Sequence, residues 1–159
     1  MKKRLLLVSI SAIIMFYGCA PSSLQIKNEY HPVPDMKFEY KIIPKAEVSE
    51  EALEVMNERL KDQLSNSLHL DDDTSMPYQK IEILVTDYYM RHGAVRFAVG
   101  IFAGVDHIVS KVTVRDASTD NSIAEFDVES KNPSAWGTSR GLIEDHIDQI
   151  VKYLKNGQT

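Results

Sequence analysis

The sequence predicts an α+β two-layer sandwich in which two helices cover one face of a sheet, in the order β-α-β-β-β-α. Three observations carry that expectation. Four stretches alternate apolar and polar side chains with the period of two that strands require. Two longer stretches place apolar residues every three or four positions, the spacing of one helix face. A sheet that is apolar on one side needs helices of that kind to cover it.

The domain is expected to span residues 37–157. Before it, Pro21, Pro32 and Pro34 interrupt a segment without sustained periodicity, so residues 19–36 read as a flexible tether, with an edge strand around Leu24 to Ile26 as the alternative. In the first domain strand Phe38, Tyr40 and Ile42 alternate with Lys37, Glu39 and Lys41, and Pro44 stops it. A helix follows. Ser49 is its N-cap candidate, Glu50 and Glu51 suit the positive end of the helix dipole, and Val48 can staple onto Leu53. Leu53, Met56, Leu60, Leu64 and Leu68 form its apolar stripe, opposite Glu54, Asn57, Glu58, Lys61 and Asp62. Asp71, Asp72, Asp73 and Thr74 read as a solvated acidic turn, because neither a calcium-loop spacing nor a His-x-x-x-His spacing accompanies them. The second strand turns Ile81, Ile83 and Val85 to the core. The third turns Ile108, Ser110, Val112 and Val114 inward, and the fourth Ala124, Phe126 and Val128. Setting Val114 against Ala124 pairs Val112 with Phe126, Thr113 with Glu125 and Lys111 with Asp127, which places opposite charges together on the wet face. A final helix runs from about Ser139 to Lys155, with Ile143, Ile147, Ile150, Val151 and Leu154 on one side and Gly157 as its stop.

Residues 93–104 stand outside this pattern. They read Gly-Ala-Val-Arg-Phe-Ala-Val-Gly-Ile-Phe-Ala-Gly and hold no polar side chain after Arg96. Gly93, Arg96, Gly100 and Gly104, followed by a strand ending in Asp116-Ala117 and a turn with Thr119, resemble a family of bacterial envelope lipoproteins catalogued as domain of unknown function forty-four ten. The resemblance covers about Ile81 to Leu154, and the family usually has Gly where this chain has Asp120. It implies a periplasm-facing lipoprotein domain with no known reaction, so it assigns no catalytic residue. Two readings of the segment stay open: a buried crossover between strands, or an exposed apolar flap in which Arg96, Gly100, Phe102 and Gly104 meet a partner.

The chain begins with a basic head, Lys2, Lys3 and Arg4, then an apolar run from Leu5 to Tyr17, then Gly18 and Cys19, the only cysteine. That run of 13 residues is short of the roughly 20 a membrane-spanning helix needs. It resembles a bacterial lipoprotein export signal, which implies removal of residues 1–18 and lipid on Cys19; a soluble periplasmic form and an uncleaved anchor are the alternatives. Ala20, where Asp would mark inner-membrane retention, favours the outer membrane. Without residues 1–18 the 159-residue chain is 141 long, and the loss of three basic side chains takes the net charge from −5 to −8. That length fits one domain. The charge argues against nucleic acid, which needs clustered Lys and Arg, and leaves membrane attachment to the lipid.

Chemistry is sparsely signalled. Residues 137–141 spell Gly-x-Ser-x-Gly, the elbow of serine hydrolases, but the only later histidine is His146. Seven residues are about 10 Å along a helix, so Ser139 or Thr138 is better read as a helix cap. His31, His69, His92 and His107 show no metal spacing. No cofactor is expected. The favoured reading is a lipid-anchored binding or assembly module without catalysis that meets an envelope protein or cell-wall component; the alternative is an envelope hydrolase using Ser139.

Overall fold

A computed structural model describes residues 22–69, 77–91, 104–132 and 138–157. It contains β1 (Ser22–Asn28), β2 (Lys37–Pro44), α1 (Glu50–Leu64), a short 3-10 turn (Ser65–Ser67), β3 (Tyr78–Tyr89), β4 (Asp106–Asp116), β5 (Ser122–Asn132) and α2 (Ser139–Asn156). The expected α+β order holds from β2 to α2. One element precedes it: residues 22–28, expected as part of a tether, form an edge strand, so the folded unit begins by Ser22 and not at Lys37.

The sheet order is β1-β5-β4-β3-β2, with β2 parallel to β3 and the other neighbours antiparallel. The β4-β5 register is the one charge pairing demands, Lys111 opposite Asp127, Val112 opposite Phe126, Thr113 opposite Glu125 and Val114 opposite Ala124. Alternation puts Ile81, Ile83 and Val85 of β3, Ile108, Val112 and Val114 of β4, and Ala124, Phe126 and Val128 of β5 in the core. Both helices lie on that face, and α1 packs against α2.

α1 starts where its cap chemistry says it should: the Ser49 side chain accepts from the Ala52 N–H, with Glu50 and Glu51 in the first turn. Its buried face is Ala52, Val55, Met56, Leu60 and Leu64, rotated slightly from the expected stripe, with Leu53 only partly buried. Arg59 of α1 grips Asp148 of α2 with two hydrogen bonds of 2.7 and 2.6 Å, fixing the outer side of the helix seam. In α2 the Thr138 hydroxyl caps the first turn by accepting from the Gly141 N–H, and Gly157 ends the helix in the left-handed conformation.

All strands are level enough to define two ends. At one, β1, β4 and both helices begin while β2, β3 and β5 finish; this is called the Ser22 end. At the other, residues 29–36 carry the chain from β1 to β2, on opposite edges of the sheet. Four strand spacings are about 19 Å, within reach of eight extended residues. Tyr30 pins this crossing from within the core: its N–H donates to the Tyr153 hydroxyl at 3.0 Å and its own hydroxyl donates to Gln79 Oε1 at 2.7 Å. Burial pushes the Tyr30 phenol up to about 12. The Tyr153 ring meets Phe126 edge to face, centroids 4.5 Å apart.

Asp120, in the β4-β5 turn, adopts φ 58°, which explains why Gly suits this place in the resembling family. Asp116 closes the turn, accepting from the Thr119 and Ser118 N–H groups and the Thr119 hydroxyl; these bonds hold its carboxyl below the usual range.

At Gly157, φ is 68° and an added Cβ would lie 2.5 Å from Pro32 Cδ. Gly157→Ala is therefore expected to destabilise the fold by about 1–2 kcal/mol or more, read as a lower urea midpoint at unchanged m-value; an unchanged midpoint would show that α2 does not end against the 29–36 crossing.

Candidate functional site: a cleft at the Ser22 end

β3 is where the sheet turns from core into site. Its register slips between Val85 and Asp87, so the extra residue Thr86 inverts the alternation beyond it. Asp87 and Tyr89 thereby face the open side of the sheet, and Tyr88 faces the helices. The Asp87 carboxylate accepts from His107 Nε2 at 3.0 Å in the tautomer that carries the proton there, and the His107 ring stacks on Tyr89 at 5.9 Å. Without the bulge, the Asp87 carboxylate would point into the core.

Beyond Tyr89 the strand end is held by an ion pair with no solvent exposure on either side chain. Asp106 Oδ1 accepts from the Arg91 Nε at 2.9 Å and from the Arg91 backbone N–H at 2.8 Å, while Arg91 Nη2 donates to the Asn132 carbonyl at 3.2 Å. One guanidinium thus ties the end of β3 to the start of β4 and the end of β5. A buried pair of this kind orders the site more than it stabilises it.

Tyr88, Tyr89, Met90 and Arg91 form one wall of a cleft of about 850 Å³ between the sheet end and the first turns of α1 and α2. Ala52, Val55 and Ile143, all buried, give it an apolar lining together with Tyr88; exposed Glu47, Glu51 and Arg140 stand at its margin. Such a cleft suits an apolar ligand or segment with polar groups at its edge. Among the described residues no group of three or more His, Cys, Asp and Glu side chains is placed to hold a metal ion, and no helix is long and apolar enough to cross a membrane.

Cys19, Gly93, Arg96, Gly100 and Phe102 lie outside the described residues, as do His92, Asp71 to Asp73 and the first residue of the Gly-x-Ser-x-Gly pattern. Gly104 is described: its φ is 87°, and an added Cβ would come 3.3 Å from the Tyr89 ring, so glycine lets the chain pass close over that ring. Ser139 and His146 are not brought together as a nucleophile and base. Ser139 is the first residue of α2, whereas His146 is buried with Nδ1 2.9 Å from the Ser130 hydroxyl and Nε2 2.8 Å from that of Ser110. Both ring nitrogens are occupied. Ser130 continues to Ser22 at 2.8 Å, so a hydroxyl-imidazole chain joins β4, α2, β5 and β1. His69 stacks on Tyr78 at 3.9 Å, and His31 is exposed.

Tyr88, Met90 and Arg91 were not legible as cleft residues, because the bulge at Thr86 breaks the alternation that would have extended β3 past Val85.

Burial drives the His146 imidazole down to about 3 from an ordinary 6.5, so it is neutral in the folded protein. Once unfolded, the chain takes up a proton there below about pH 6.5 that the folded state refuses. Stability present above that pH is therefore lost as pH falls toward 3, by up to about 1.4 kcal/mol per unit. In His146→Gln, whose amide can serve both hydroxyls, urea unfolding between pH 6.5 and 4 should fall less steeply than in the parent; parallel curves would contradict a neutral, buried His146. Separately, Asp106→Ala strands a buried guanidinium and should cost about 3–5 kcal/mol, while replacing Arg91 and Asp106 together by Met and Leu should recover most of that loss; equal destabilisation of both variants would argue against an energetically coupled pair.

A family model described as Domain of unknown function (DUF4410) matches residues 23–136, so it takes in β1 and α1 as well as the strands and stops before α2. No curated protein matches the chain. Among solved structures, a PelC dodecamer from Paraburkholderia phytofirmans is similar at TM-score 0.61 and 8% identity, over 85% of this chain and 99% of that one. A PelC variant dodecamer from the same organism is similar at TM-score 0.58 and 10% identity, over 87% and 100%. A suspected lipoprotein from Caulobacter crescentus CB15 reaches TM-score 0.39 at 15% identity, over 71% and 86%, too slight a likeness to build on. At these identities the first two likenesses are of fold.

Proposed function

The chain belongs to the family described as Domain of unknown function (DUF4410), and from that membership we propose that it is a lipid-anchored module of the bacterial cell envelope that works by binding and assembly, without catalysis. The assembly part is carried by one observation: the fold is shared over 85% of the chain with a structure that is itself a dodecamer. The first partner proposed for this chain is therefore another copy of itself. The anchor rests on the basic head, the short apolar run and Cys19, with Ala20 favouring the periplasmic side of the outer membrane. Arg96, Gly100, Phe102 and Gly104 remain the proposed contacts for an envelope protein or cell-wall partner. The cleft supports a binding role, since buried Ala52, Val55 and Ile143 give it an apolar part while Arg91 and the marginal Glu47, Glu51 and Arg140 supply charge.

A soluble form with Cys19→Ser and no leader is expected to sediment as a closed oligomer at micromolar concentration. Sedimentation as a monomer, together with no homotypic crosslinks in cells carrying the anchored form, would remove self-assembly from the proposal.

A further inference from the structure

The chain leaves little room between the lipid-bearing residue and the fold. Only Ala20 and Pro21 separate Cys19 from Ser22, the first residue of β1. Three residue steps span at most about 10 Å. The register then sets what lies beside that tether. Ser22 is level with Ser130, Ser130 with Ile108, and Ile108 with Tyr88. Val105 lies three residues beyond Ile108 in the direction of the Ser22 end, again about 10 Å in extended chain. A fully extended tether therefore brings Cys19 only to the level of Val105.

Among the described residues, two of the four exposed large hydrophobic ones are at that end, Tyr89 at 43% and Val105 at 37% exposure; of the others, Ile26 lies along β1 and Val33 at the opposite end. Close to Tyr89 and Val105, Lys131 is paired with Glu129 at 2.6 Å, and Asp87 is hydrogen-bonded to His107 Nε2 at 3.0 Å. Matched charges cost less to bring near lipid than single ones, and a tyrosine suits the boundary between apolar and wet layers.

Resting on the anchored reading above, we infer that the Ser22 end of the sheet, with Tyr89 and Val105, is a membrane-contact surface seated on phospholipid headgroups. The lipid on Cys19 supplies attachment and these side chains supply orientation. Strands β3, β4 and β5 then stand on end over the bilayer, with the 29–36 crossing and the 117–121 turn facing away from it.

The test uses the lipidated chain purified from membranes and reconstituted into phosphatidylethanolamine-phosphatidylglycerol vesicles. A nitroxide is placed at Val105→Cys or, as a control, at Val33→Cys. Both positions are exposed, so neither substitution opens the core. Collisions with dissolved oxygen, concentrated in lipid, are compared with collisions with a water-soluble nickel chelate. The expected oxygen-to-nickel ratio is severalfold higher at 105 than at 33. Equal ratios in vesicle-bound protein carrying its lipid would overturn the membrane contact while leaving the anchor intact. A label at 105 shielded from both reagents would put a second copy against this end and would also overturn it. Intact mass showing no lipid on Cys19 would overturn the anchor and this inference together.

Discussion

An imidazole sealed in an apolar core must have a partner for each nitrogen, because an unpaired polar group there is costly. His146 meets that requirement through Ser110 and Ser130, and much of the helix layer follows from it. Placing the ring between β4 and β5 fixes how α2 is rotated about its axis. Ile143, Ile147, Ile150 and Leu154 then fall on the sheet, and Tyr153 reaches the far end to accept from Tyr30. Hydroxyls can donate or accept, so the chain from Ser22 to Ser110 is satisfied with either neutral tautomer. The same chain fastens the edge strand, since Ser22 joins it through Ser130.

Much of this fold was legible because its signals are local. The caps at Ser49 and Gly157 depend on neighbours in sequence, and the β4-β5 register follows from a short turn and the pairing of charges across it. β1 was not legible as the favoured reading. Its few apolar residues sit among prolines, and its partner β5 is remote in sequence, so nothing local announces the pairing. The site was harder still. The cleft draws on the 47–55 segment, the end of β3 and the start of α2, and the bulge at Thr86 erases the alternation that would have pointed to it. Polar residues on a buried face, Asp106, Ser110, Ser130 and His146, look in sequence like interruptions of a core pattern and are in fact its internal bonds.

A fold kept at 8% identity must be specified by alternation and topology more than by particular side chains. The open face of this sheet shows how little else is required. Lys27 reaches Asp127 at 2.8 Å and Glu125 at 3.3 Å, and Arg115 reaches Glu82 at 3.1 Å, so opposite charges meet across neighbouring strands. Exposed pairs of this kind add little stability. They do penalise a one-residue slip, which would turn these charges toward the core, and Lys27 on the edge discourages open-ended strand addition.

The long reach from β1 to β5 also imposes an order of events. Ser22 bonds a residue 108 positions further along, and a chain is made from its N-terminus. The stretch beside Cys19 therefore has no strand to pair with until β5 has emerged. Through most of synthesis β1 stays unpaired. Completion of β5 ends that interval, and loop closure over so long a separation makes it a late step.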